Sequence, residues 1–550
     1  MVRYPFIPMT QTATRSTDPR LPVGLALAAC ALFYLEGQAF LPLLGIQNDE
    51  AIFAYAFLQP RGGYTVRFGH SHLPLMLMSY LGTLKAWIYR PIFAVFAPSV
   101  WSLREPALLF GVASVWLFFL LLRRIAGARA AVIGCGLLAV DALYLLTVSF
   151  DWGPVALQHL LLVGGMLLLV RFYQEGSAGS LAWGFFLLGL AMWDKALAVW
   201  MLSGMAVACA VVFPRQIRRV ATPRRAAVAA LCFALGALPL IVYNVNNRFD
   251  TFRGHHYNTG EIAEKARMLM NTANGTALFG WLADEDWQTA APHAPANALE
   301  RVSSAVSELA GQPRHNLLVY AFVLALLLAP LARGGDLRAI LFVLMAMAVQ
   351  WGQMAITVDA GGSVHHTILL WPLPEMAIAV SFAAASRRLG RAAIPAAAGI
   401  LAVTMAAGVL QINEYYRLAW RNGGAQNWTD AIFPLSEKMK DVHATEVYSV
   451  DWGILDSLRL LNRGKLHQEA IFDAVPPPDQ GAPDMTRIEA AVGEPDHVFI
   501  AHSKGLEFFE GRNGRLLQAA EAAGYRRETI AAIRDSFGRP TYEAYRFVPR

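Results

Sequence analysis

The chain has 550 residues, of which 56% are hydrophobic and only 16% are charged. This composition, with a mean hydropathy of +0.39, excludes a soluble globular protein and indicates a membrane protein. Apolar stretches of about 20 residues recur along most of the chain, so a single membrane anchor is also excluded. The net charge of +6 comes from arginine clusters between apolar runs, a pattern typical of membrane orientation rather than nucleic-acid binding.

The start of the chain predicts a cytoplasmic tail. Arg3, Arg15 and Arg20 precede a long apolar run that has no obvious small-residue cleavage site. We therefore interpret residues 1–21 as a tail on an uncleaved first helix. All four cysteines lie inside apolar runs, and for this reason we expect neither disulfides nor a zinc site.

Eleven apolar stretches are candidate membrane spans. In chain order they are residues 22–44, 103–122, 130–149, 154–171, 180–193, 196–213, 226–244, 315–332, 338–357, 366–385 and 393–412. With the N-terminus inside, every arginine cluster between spans lies on the cytoplasmic side, as the positive-inside rule requires. The sequence therefore predicts an all-α polytopic membrane protein with about eleven transmembrane helices.

The segment Leu73–Pro98 is a doubtful case. It is apolar, but Lys85, Arg90 and Pro91 interrupt it. If it crossed the membrane, the next arginine pair would lie outside and every later loop would invert. We interpret the segment as lying in or re-entering the outer interface, like an amphipathic juxtamembrane helix.

Three large polar regions then face outward, namely residues 45–102, 245–314 and 413–550. In the last region, strand-like runs such as Glu446–Val450, His497–Ala501 and Tyr542–Val548 alternate with helical runs such as Asn513–Ala523. This alternation predicts a small α/β domain, which we place in the periplasm.

The first outer loop opens with an acidic pair. The run Gln47-Asn48-Asp49-Glu50-Ala51 directly follows the first span. Adjacent carboxylates at a membrane boundary suit a general base, because low-dielectric surroundings raise the proton affinity of a carboxylate. The structural alternative is that Asp49 and Glu50 only cap the following helix, whose dipole favours negative charge.

Further charged groups stand at the same outer depth. Asp151 ends the third span within residues 149–154, and Asp194 and Lys195 follow Trp193. Charges and tryptophans commonly mark helix ends at the interface, which would explain these residues without a function. Because three carboxylate positions and a lysine approach one membrane plane from different helices, we favour a functional site.

A basic group is predicted beside these carboxylates. His365 and His366 start the tenth span at the outer face, and with Lys195, Lys85 and Arg67 they could hold a phosphate that emerges from the bilayer. Such donors suit a lipid-phosphate leaving group, whose negative charge grows as a sugar departs. The alternative is that the histidines contact headgroups or cap a helix. Their adjacent spacing does not resemble a metal site.

No cytoplasmic nucleotide-sugar site is visible. The sequence has no Walker motif, no GxSxG elbow, no Rossmann glycine pattern after a strand and no nucleic-acid module. Chemistry is therefore expected on the outer side, where the charged residues gather.

With these motifs in place, the chain resembles the GT-C glycosyltransferases, specifically the bacterial relatives of protein O-mannosyltransferases and of aminoarabinose transferases that modify lipid A. The resemblance covers residues 22–412 by topology and about the first 200 residues by motif. It rests on one span followed by Asp49-Glu50, on the stretch Ser79–Lys85, on Asp151-Trp152-Gly153-Pro154 and on Trp193-Asp194-Lys195-Ala196.

The resemblance implies an inverting transfer from a sugar linked to polyprenyl or dolichyl phosphate. In that mechanism Asp49 deprotonates the acceptor and Glu50 is its partner in acceptor or sugar contact. Asp151 matches the second-loop carboxylate of the family, and Lys85 matches a lysine near the substrate entrance. The later part departs from the family, since the pair His365-His366 stands where relatives often place a tyrosine or arginine.

The implied partners are the polyprenyl-phosphate-linked sugar, membrane lipid, and an acceptor that the sequence leaves open among protein, lipid and glycan. No nucleic acid is expected. No divalent metal or other cofactor is expected either, because a lipid-monophosphate sugar has no pyrophosphate to neutralise, and positioning with local positive charge suffices.

Two other function classes remain open. A transporter or flippase would carry charged residues near mid-membrane in paired, interrupted helices related by a repeat. Glu36 and Asp141 lie within spans, but they have no counterparts in the second half. A non-catalytic sensor would bind through the C-terminal domain and leave Asp49 replaceable. Our prediction is a glycosyltransferase of the bacterial inner membrane, with residues 22–412 as its catalytic membrane domain and residues 413–550 in the periplasm.

Overall fold

The computed structural model describes residues 20–58, 63–253, 256–285, 292–477 and 479–550. The predicted tail, residues 1–21, lies outside these ranges except for its last two residues, which begin the first helix. Helices fill most of the chain up to Asn422, and a mixed sheet with four helices follows.

Nineteen α-helices lie within the described residues up to Asn422. They are α1 (Arg20–Phe40), α2 (Asn48–Ile52), α3 (Leu84–Val95), α4 (Val100–Ala126), α5 (Ala128–Ala139), α6 (Ala142–Ser149), α7 (Val155–Glu175), α8 (Ala178–Asp194), α9 (Ala198–Val212), α10 (Pro214–Val220), α11 (Pro223–Gly236), α12 (Leu238–Asn246), α13 (Ile262–Ala273), α14 (Ala298–Leu309), α15 (Leu318–Leu328), α16 (Gly335–Ile356), α17 (Val364–Thr367), α18 (Leu373–Arg388) and α19 (Ala393–Asn422).

Six of these elements are long and apolar enough to cross a membrane, judged over the described ranges. They are α1, α4, α7, α16, the run from α17 through α18, and α19. The number rises to nine if each of three bent pairs is one span; the pairs α5–α6, α9–α10 and α11–α12 bend by 63°, 99° and 73°. The helices α8 and α15 are apolar but shorter. The chain is therefore a multi-pass membrane protein, and the count of eleven spans stays a prediction.

The centre of the bundle is α18. Every residue of this helix from Leu373 to Ser386 is buried, and the helix packs against α5, α15 and α16. Elsewhere small residues allow close helix contact: a Cβ on Gly189 of α8 would lie 2.2 Å from the carbonyl oxygen of Phe233 in α11. Such close approaches are typical of helices packed in a membrane, where small residues let two backbones meet.

The first loop contains an antiparallel sheet as well as a helix. The strands β1 (Tyr64–Phe68), β2 (Ser71–Met78) and β3 (Leu81–Gly82) form the sheet in the order β1-β2-β3, and α3 follows. The prediction that Leu73–Pro98 resembles a juxtamembrane helix is therefore wrong for the first half of this segment. A short apolar run such as that in β2 is compatible with a strand or a helix. Here it forms a strand because it pairs with β1.

The C-terminal region, residues 423–550, follows α19, which continues to Asn422. It contains α20 (Ile432–Asp441), β4 (Glu446–Ser449), α21 (Leu455–Leu461), β5 (Gln468–Ala470), α22 (Met485–Val492), β6 (His497–His502), α23 (Arg512–Ala522), β7 (Tyr525–Arg534) and β8 (Pro540–Pro549). The sheet order is β5-β4-β6-β8-β7; β4 is parallel to β5 and β6, and β8 is antiparallel to its neighbours.

Helices cover both faces of this sheet. Residues of α22 and α23 pack with Phe499 and Tyr545 on one face, while residues of α20 and α21 pack with Val447 and Tyr542 on the other. Two apolar layers around a mixed sheet give the region its own hydrophobic core. The strands and helix expected from the sequence are present, whereas β5 and β7 were not predicted.

Candidate active site

Four charged residues predicted from the sequence lie together where three chain connections meet. Lys85 Nζ is 2.6 Å from Asp151 Oδ2, and Lys195 Nζ donates to the carbonyl oxygen of Gly153 over 3.2 Å. Trp152 Nε1 donates to Asp49 Oδ2, also over 3.2 Å. The first loop, the α6–α7 turn and the α8–α9 turn thus bring Asp49, Lys85, Asp151 and Lys195 into one group, which we call the charged cluster.

Asp49 is the partly exposed member of the charged cluster. The N-terminus of α2 is capped by Gln47, whose side chain accepts from the backbone N–H groups of Asp49 and Glu50. The Asp49 carboxylate is therefore free of the capping role that was its structural alternative. Burial raises the pKa of Asp49, and the opposing effects of the Trp152 hydrogen bond and of Lys195 do not cancel this rise. A carboxylate of raised pKa is a stronger base once it is deprotonated.

Glu50 faces a different neighbour. Arg104 of α4 binds both carboxylate oxygens of Glu50, over 2.6 and 3.0 Å, and also donates to the carbonyl oxygens of Leu41, Leu44 and Gly45. Glu50 and Arg104 are fully buried, and Glu50 accepts from the backbone N–H of Gln47 as half of a capping box, so the capping alternative is confirmed for Glu50. This pair fixes the end of α1 and the start of α2 to α4, so Glu50 orients the loop that carries Asp49.

The α6–α7 turn has an unusual backbone. Asp151 has a φ of 43°, in the left-handed region that favours glycine, and Gly153 has a φ of 84°. Asp151 Oδ1 accepts from the backbone N–H of Ala156 in the first turn of α7. A Cβ on Gly153 would lie 3.0 Å from His365 Cδ2 and 3.2 Å from Lys195 Nζ. The glycine therefore lets His365 and Lys195 lie against the turn.

Lys195 lies in the turn between α8 and α9 and is buried. Burial lowers the pKa of Lys195 to about 8, while Asp49, Asp194 and Asp151 act to raise it. The neighbouring Asp194 is also buried, and its Oδ2 has no hydrogen-bond partner among the described residues. Burial thus weakens the preference of Lys195 for its charged form, and the three carboxylates support that form.

The two histidines lie beside the charged cluster. The His365 ring is 4.6 Å from the Trp152 ring and 4.1 Å from the His366 ring. His365 Nδ1 is held by the hydroxyl of Ser363 over 2.8 Å, and both histidines are partly exposed. Of the predicted basic group, His365 therefore meets the cluster directly and His366 lies behind it.

Arg67 is apart from this group. It lies on β1, where it is exposed and pairs across the hairpin with His72. Its Nε donates to the carbonyl oxygen of Gly69 in the same hairpin. Within the described ranges, no contact joins Arg67 to the charged cluster.

The Ser79–Lys85 stretch docks on the α8–α9 turn. The backbone N–H of Ala196 donates to the carbonyl oxygen of Tyr80, and Leu81 forms a bridge with Lys195. A Cβ on Gly82 would lie 1.7 Å from the carbonyl oxygen of Trp193, so only glycine fits there. This contact holds Lys85 and Lys195 on neighbouring segments.

Several residues of the site gave no signal in the sequence. Trp281 of the central loop stacks on Trp152, with ring centroids 5.6 Å apart, and Asp456 of the C-terminal region lies next to Asn48.

The expectation of no metal overlooked an Asp-x-Asp motif at residues 284–286, a spacing that can bind a metal ion. Glu285 pairs with Arg314 over 2.7 Å, and Asp284 lies 3.5 Å from Arg539; residue 286 is outside the described ranges.

A cavity of about 510 Å³ lies elsewhere, beside α14 and the end of α19. Its walls include His293, Arg417 and Trp420, and none of the predicted site residues lines it. The chemistry suggested by the charged cluster therefore has no connection to this cavity.

A family model matches part of the membrane bundle, and solved structures share the fold of nearly the whole chain; both agree with the resemblance to the GT-C glycosyltransferases noted from the sequence. Residues 82–243 match the family model described as dolichyl-phosphate-mannose-protein mannosyltransferase. This stretch contains Lys85, Asp151, Asp194 and Lys195, whereas Asp49 and the histidines lie outside it.

Solved structures extend the comparison to nearly the whole chain. ArnT from Cupriavidus metallidurans in the apo state aligns with a TM-score of 0.58 at 12% identity, over 96% of this chain and 98% of ArnT. ArnT bound to undecaprenyl phosphate aligns with the same score and coverage at 13% identity. The apo oligosaccharyltransferase of Archaeoglobus fulgidus gives a TM-score of 0.48 at 13% identity, over 93% of this chain and 70% of that protein. No curated protein matches the chain.

Proposed function

We propose that this protein is an inverting glycosyltransferase that moves a sugar from a polyprenyl-phosphate donor to an acceptor hydroxyl at the periplasmic face of the bacterial inner membrane. The observation that carries the proposal is the grouping of a partly exposed carboxylate, Asp49, with the buried cations Lys85 and Lys195 in a GT-C fold. Sugar transfer from a phosphate needs a base for the acceptor and positive charge for the leaving group.

In the proposed reaction, Asp49 takes the proton of the acceptor hydroxyl while the acceptor oxygen attacks the anomeric carbon of the sugar. The bond from that carbon to the phosphate oxygen breaks, and polyprenyl phosphate leaves with both electrons of the bond. One displacement from the opposite face inverts the anomeric configuration. The product is a glycoside, and the proton remains on Asp49 until solvent removes it.

We assign the phosphate to the side of the cluster formed by Lys195 and His365. Lys195 is a cation at neutral pH, since its pKa of about 8 lies above that pH, and the His365 ring is close to the same turn. The pair Lys85–Asp151 holds the turn that carries Trp152. We assign supporting roles to Asp194 and His366, next to Lys195 and His365 respectively.

The nature of the donor is supported by the carriers named for similar proteins. The matched family is described by a dolichyl-phosphate sugar, and one ArnT structure contains undecaprenyl phosphate. Both carriers are polyprenyl monophosphates. The arginine clusters between spans support an outward site, because the positive-inside rule puts them in the cytoplasm and the charged cluster opposite.

The experiment that tests the proposal is sugar transfer by purified protein in proteoliposomes with a polyprenyl-phosphate sugar. We expect the Asp49→Asn variant to lose about 10²–10⁴-fold in transfer rate, which is the usual contribution of a general base. Glu264→Gln, which alters an exposed carboxylate of α13, is the control and should transfer normally. Wild-type turnover by a folded Asp49→Asn variant would exclude Asp49 as the base.

Two further arms of the same experiment test the metal and the alternative function. Excess EDTA should leave transfer within about twofold, since we propose that lysines rather than a metal neutralise the phosphate. Movement of the labelled lipid across the bilayer without any glycoside product would instead support a flippase.

A further inference from the structure

The C-terminal region reaches the loop that carries Asp49. Its helix α21 packs against α2, and Leu460 of α21 shares an apolar cluster with Ile46, Ala51 and Ile52. The backbone N–H of Asp456 donates to Asn48 Oδ1 over 3.2 Å. Asn48 is the residue directly before Asp49 and is 4% exposed. A residue more than 400 positions away therefore holds the start of α2.

A second set of contacts surrounds the Asp456 carboxylate. Its Oδ1 is 3.5 Å from Arg459 Nη1, and it accepts a hydrogen bond from the hydroxyl of Tyr55, which follows α2. Arg459 Nη1 also lies 3.3 Å from that hydroxyl. Burial raises the pKa of Asp456, while Tyr55, Arg459 and Asn48 act to lower it. These three partners favour the anion of a carboxylate that is only 7% exposed.

The charges that face Asp49 come from three segments. Lys195, from the α8–α9 turn, lowers the pKa of Asp49, and Asp456 raises it. Asp49 in turn raises the pKa of Tyr80 in the first loop. Asp456 is thus the acidic neighbour whose effect on the pKa of Asp49 opposes that of Lys195, and it comes from the C-terminal region rather than from the membrane bundle.

We propose that Asp456 is a positioning residue for Asp49: its backbone N–H holds Asn48, directly before Asp49, and its carboxylate, held by Tyr55 and Arg459, places an acidic side chain beside the loop that carries the base. This inference rests on the proposed function, in which Asp49 is the base. It gives the C-terminal region an indirect part in the reaction, because α21 holds the loop that carries Asp49.

The inference predicts a change in pH dependence. Asp49 must be deprotonated to act, so kcat/KM falls as the pH falls through its pKa. Removing the Asp456 charge leaves Lys195 unopposed and lowers the pKa of Asp49. In the Asp456→Asn variant, the acid limb of the kcat/KM profile should therefore move to lower pH by about 1 unit, which corresponds to about 1.4 kcal/mol of interaction with the removed charge.

The experiment measures this profile with full-length protein in proteoliposomes and a polyprenyl-phosphate sugar. Asp456→Asn keeps the backbone N–H that binds Asn48, so it separates the charge from the clamp. Asp456→Ser removes the charge with a smaller side chain and serves if the first variant does not fold. Glu437→Gln, which removes an exposed carboxylate of α20 in the same region, should leave the profile unchanged.

Two outcomes distinguish the inference from the proposed function. If wild type transfers sugar, Asp49→Asn is inactive and both Asp456 variants keep the wild-type acid limb, the inference is wrong and the proposed function stands. A rate lowered equally at every pH also overturns it, because that result indicates structural support alone. If Asp49→Asn transfers normally, the proposed function fails first.

Discussion

The tripeptide Asp-Trp-Gly occurs twice in the chain, at residues 151–153 and at residues 451–453. Both copies follow a regular element, α6 or β4, and both glycines have positive φ, 84° and 94°. The two aspartates nevertheless differ completely in their partners. The Asp451 carboxylate accepts from the backbone N–H groups of Trp452, Phe508 and Phe509, and lies 2.7 Å from His502 Nδ1.

Asp151 has a less complete set of partners. One oxygen accepts a single backbone hydrogen bond and the other faces Lys85. For Asp451, burial acts to raise the pKa, but the His502 contact and the backbone donors outweigh it and hold the pKa below its usual range. A carboxylate that is fully hydrogen-bonded closes a turn. The Asp151 carboxylate is instead paired mainly with a buried lysine, so the surroundings rather than the tripeptide distinguish the two carboxylates.

The largest expected effect is a comparison of Asp151→Asn with Asp451→Asn. Asp151→Asn leaves Lys85 buried without its counter-charge, which costs about 3–5 kcal/mol, and it should abolish transfer because the turn and its lysine are displaced. Asp451→Asn loses hydrogen-bond acceptors, at a cost of about 1–3 kcal/mol, and the folded variant should keep its transfer rate. Thermal unfolding and kcat/KM of both variants measure the contrast.

A second change in the Asp151→Asn background sharpens this comparison. Lys85→Met removes the unpaired charge, so the double variant should regain much of the lost free energy of unfolding without regaining transfer. Equal losses of transfer for Asp151→Asn and Asp451→Asn at equal stability would show that the two turns do not differ in role.

A smaller effect is expected from the glycines. In Gly153→Ala, the new methyl group presses on His365 and Lys195, so we expect kcat to fall about tenfold, with about 1–2 kcal/mol of backbone strain. In Gly453→Ala, the new methyl group would lie 2.5 Å from Asn427 Oδ1. The melting temperature should therefore fall while kcat is unchanged. A Gly153→Ala variant with normal kcat would place the charged cluster away from the reaction.

Much of the membrane part could be predicted from the sequence, because apolar length and arginine placement are local features. The helices of the bundle lie where apolar runs predict them, and alternation located β4, β6 and β8. The hairpin β1–β2 could not be predicted, since the apolar run Leu73–Met78 satisfies a strand and a helix equally and only its pairing with β1 separates the two.

The charged cluster was predictable only in part, for a related reason. Asp49, Asp151 and Lys195 each follow or precede a predicted span, and Lys85 lies in the stretch predicted for the outer interface, so the predicted topology brings them to one membrane face. The partners that define their roles come from distant parts of the chain: Arg104 binds Glu50 from inside α4, and Asp456 binds Asn48 from the C-terminal region. No local pattern marks such contacts, because tertiary packing alone creates them.

The tryptophans of the two turns provide the smallest and most specific test. Trp152 donates its indole N–H to Asp49, and this bond lowers the pKa of Asp49, whereas Trp452 packs against Phe508. Trp152→Phe removes the donor, so the pKa of Asp49 should rise and the acid limb of kcat/KM should move to higher pH by about 0.5–1 unit. Trp452→Phe should leave the profile in place. This shift is opposite in sign to the shift expected for Asp456→Asn, so the double variant Trp152→Phe/Asp456→Asn should return toward the wild-type profile. If the two single variants shift the acid limb in the same direction, Asp49 is not the group that titrates.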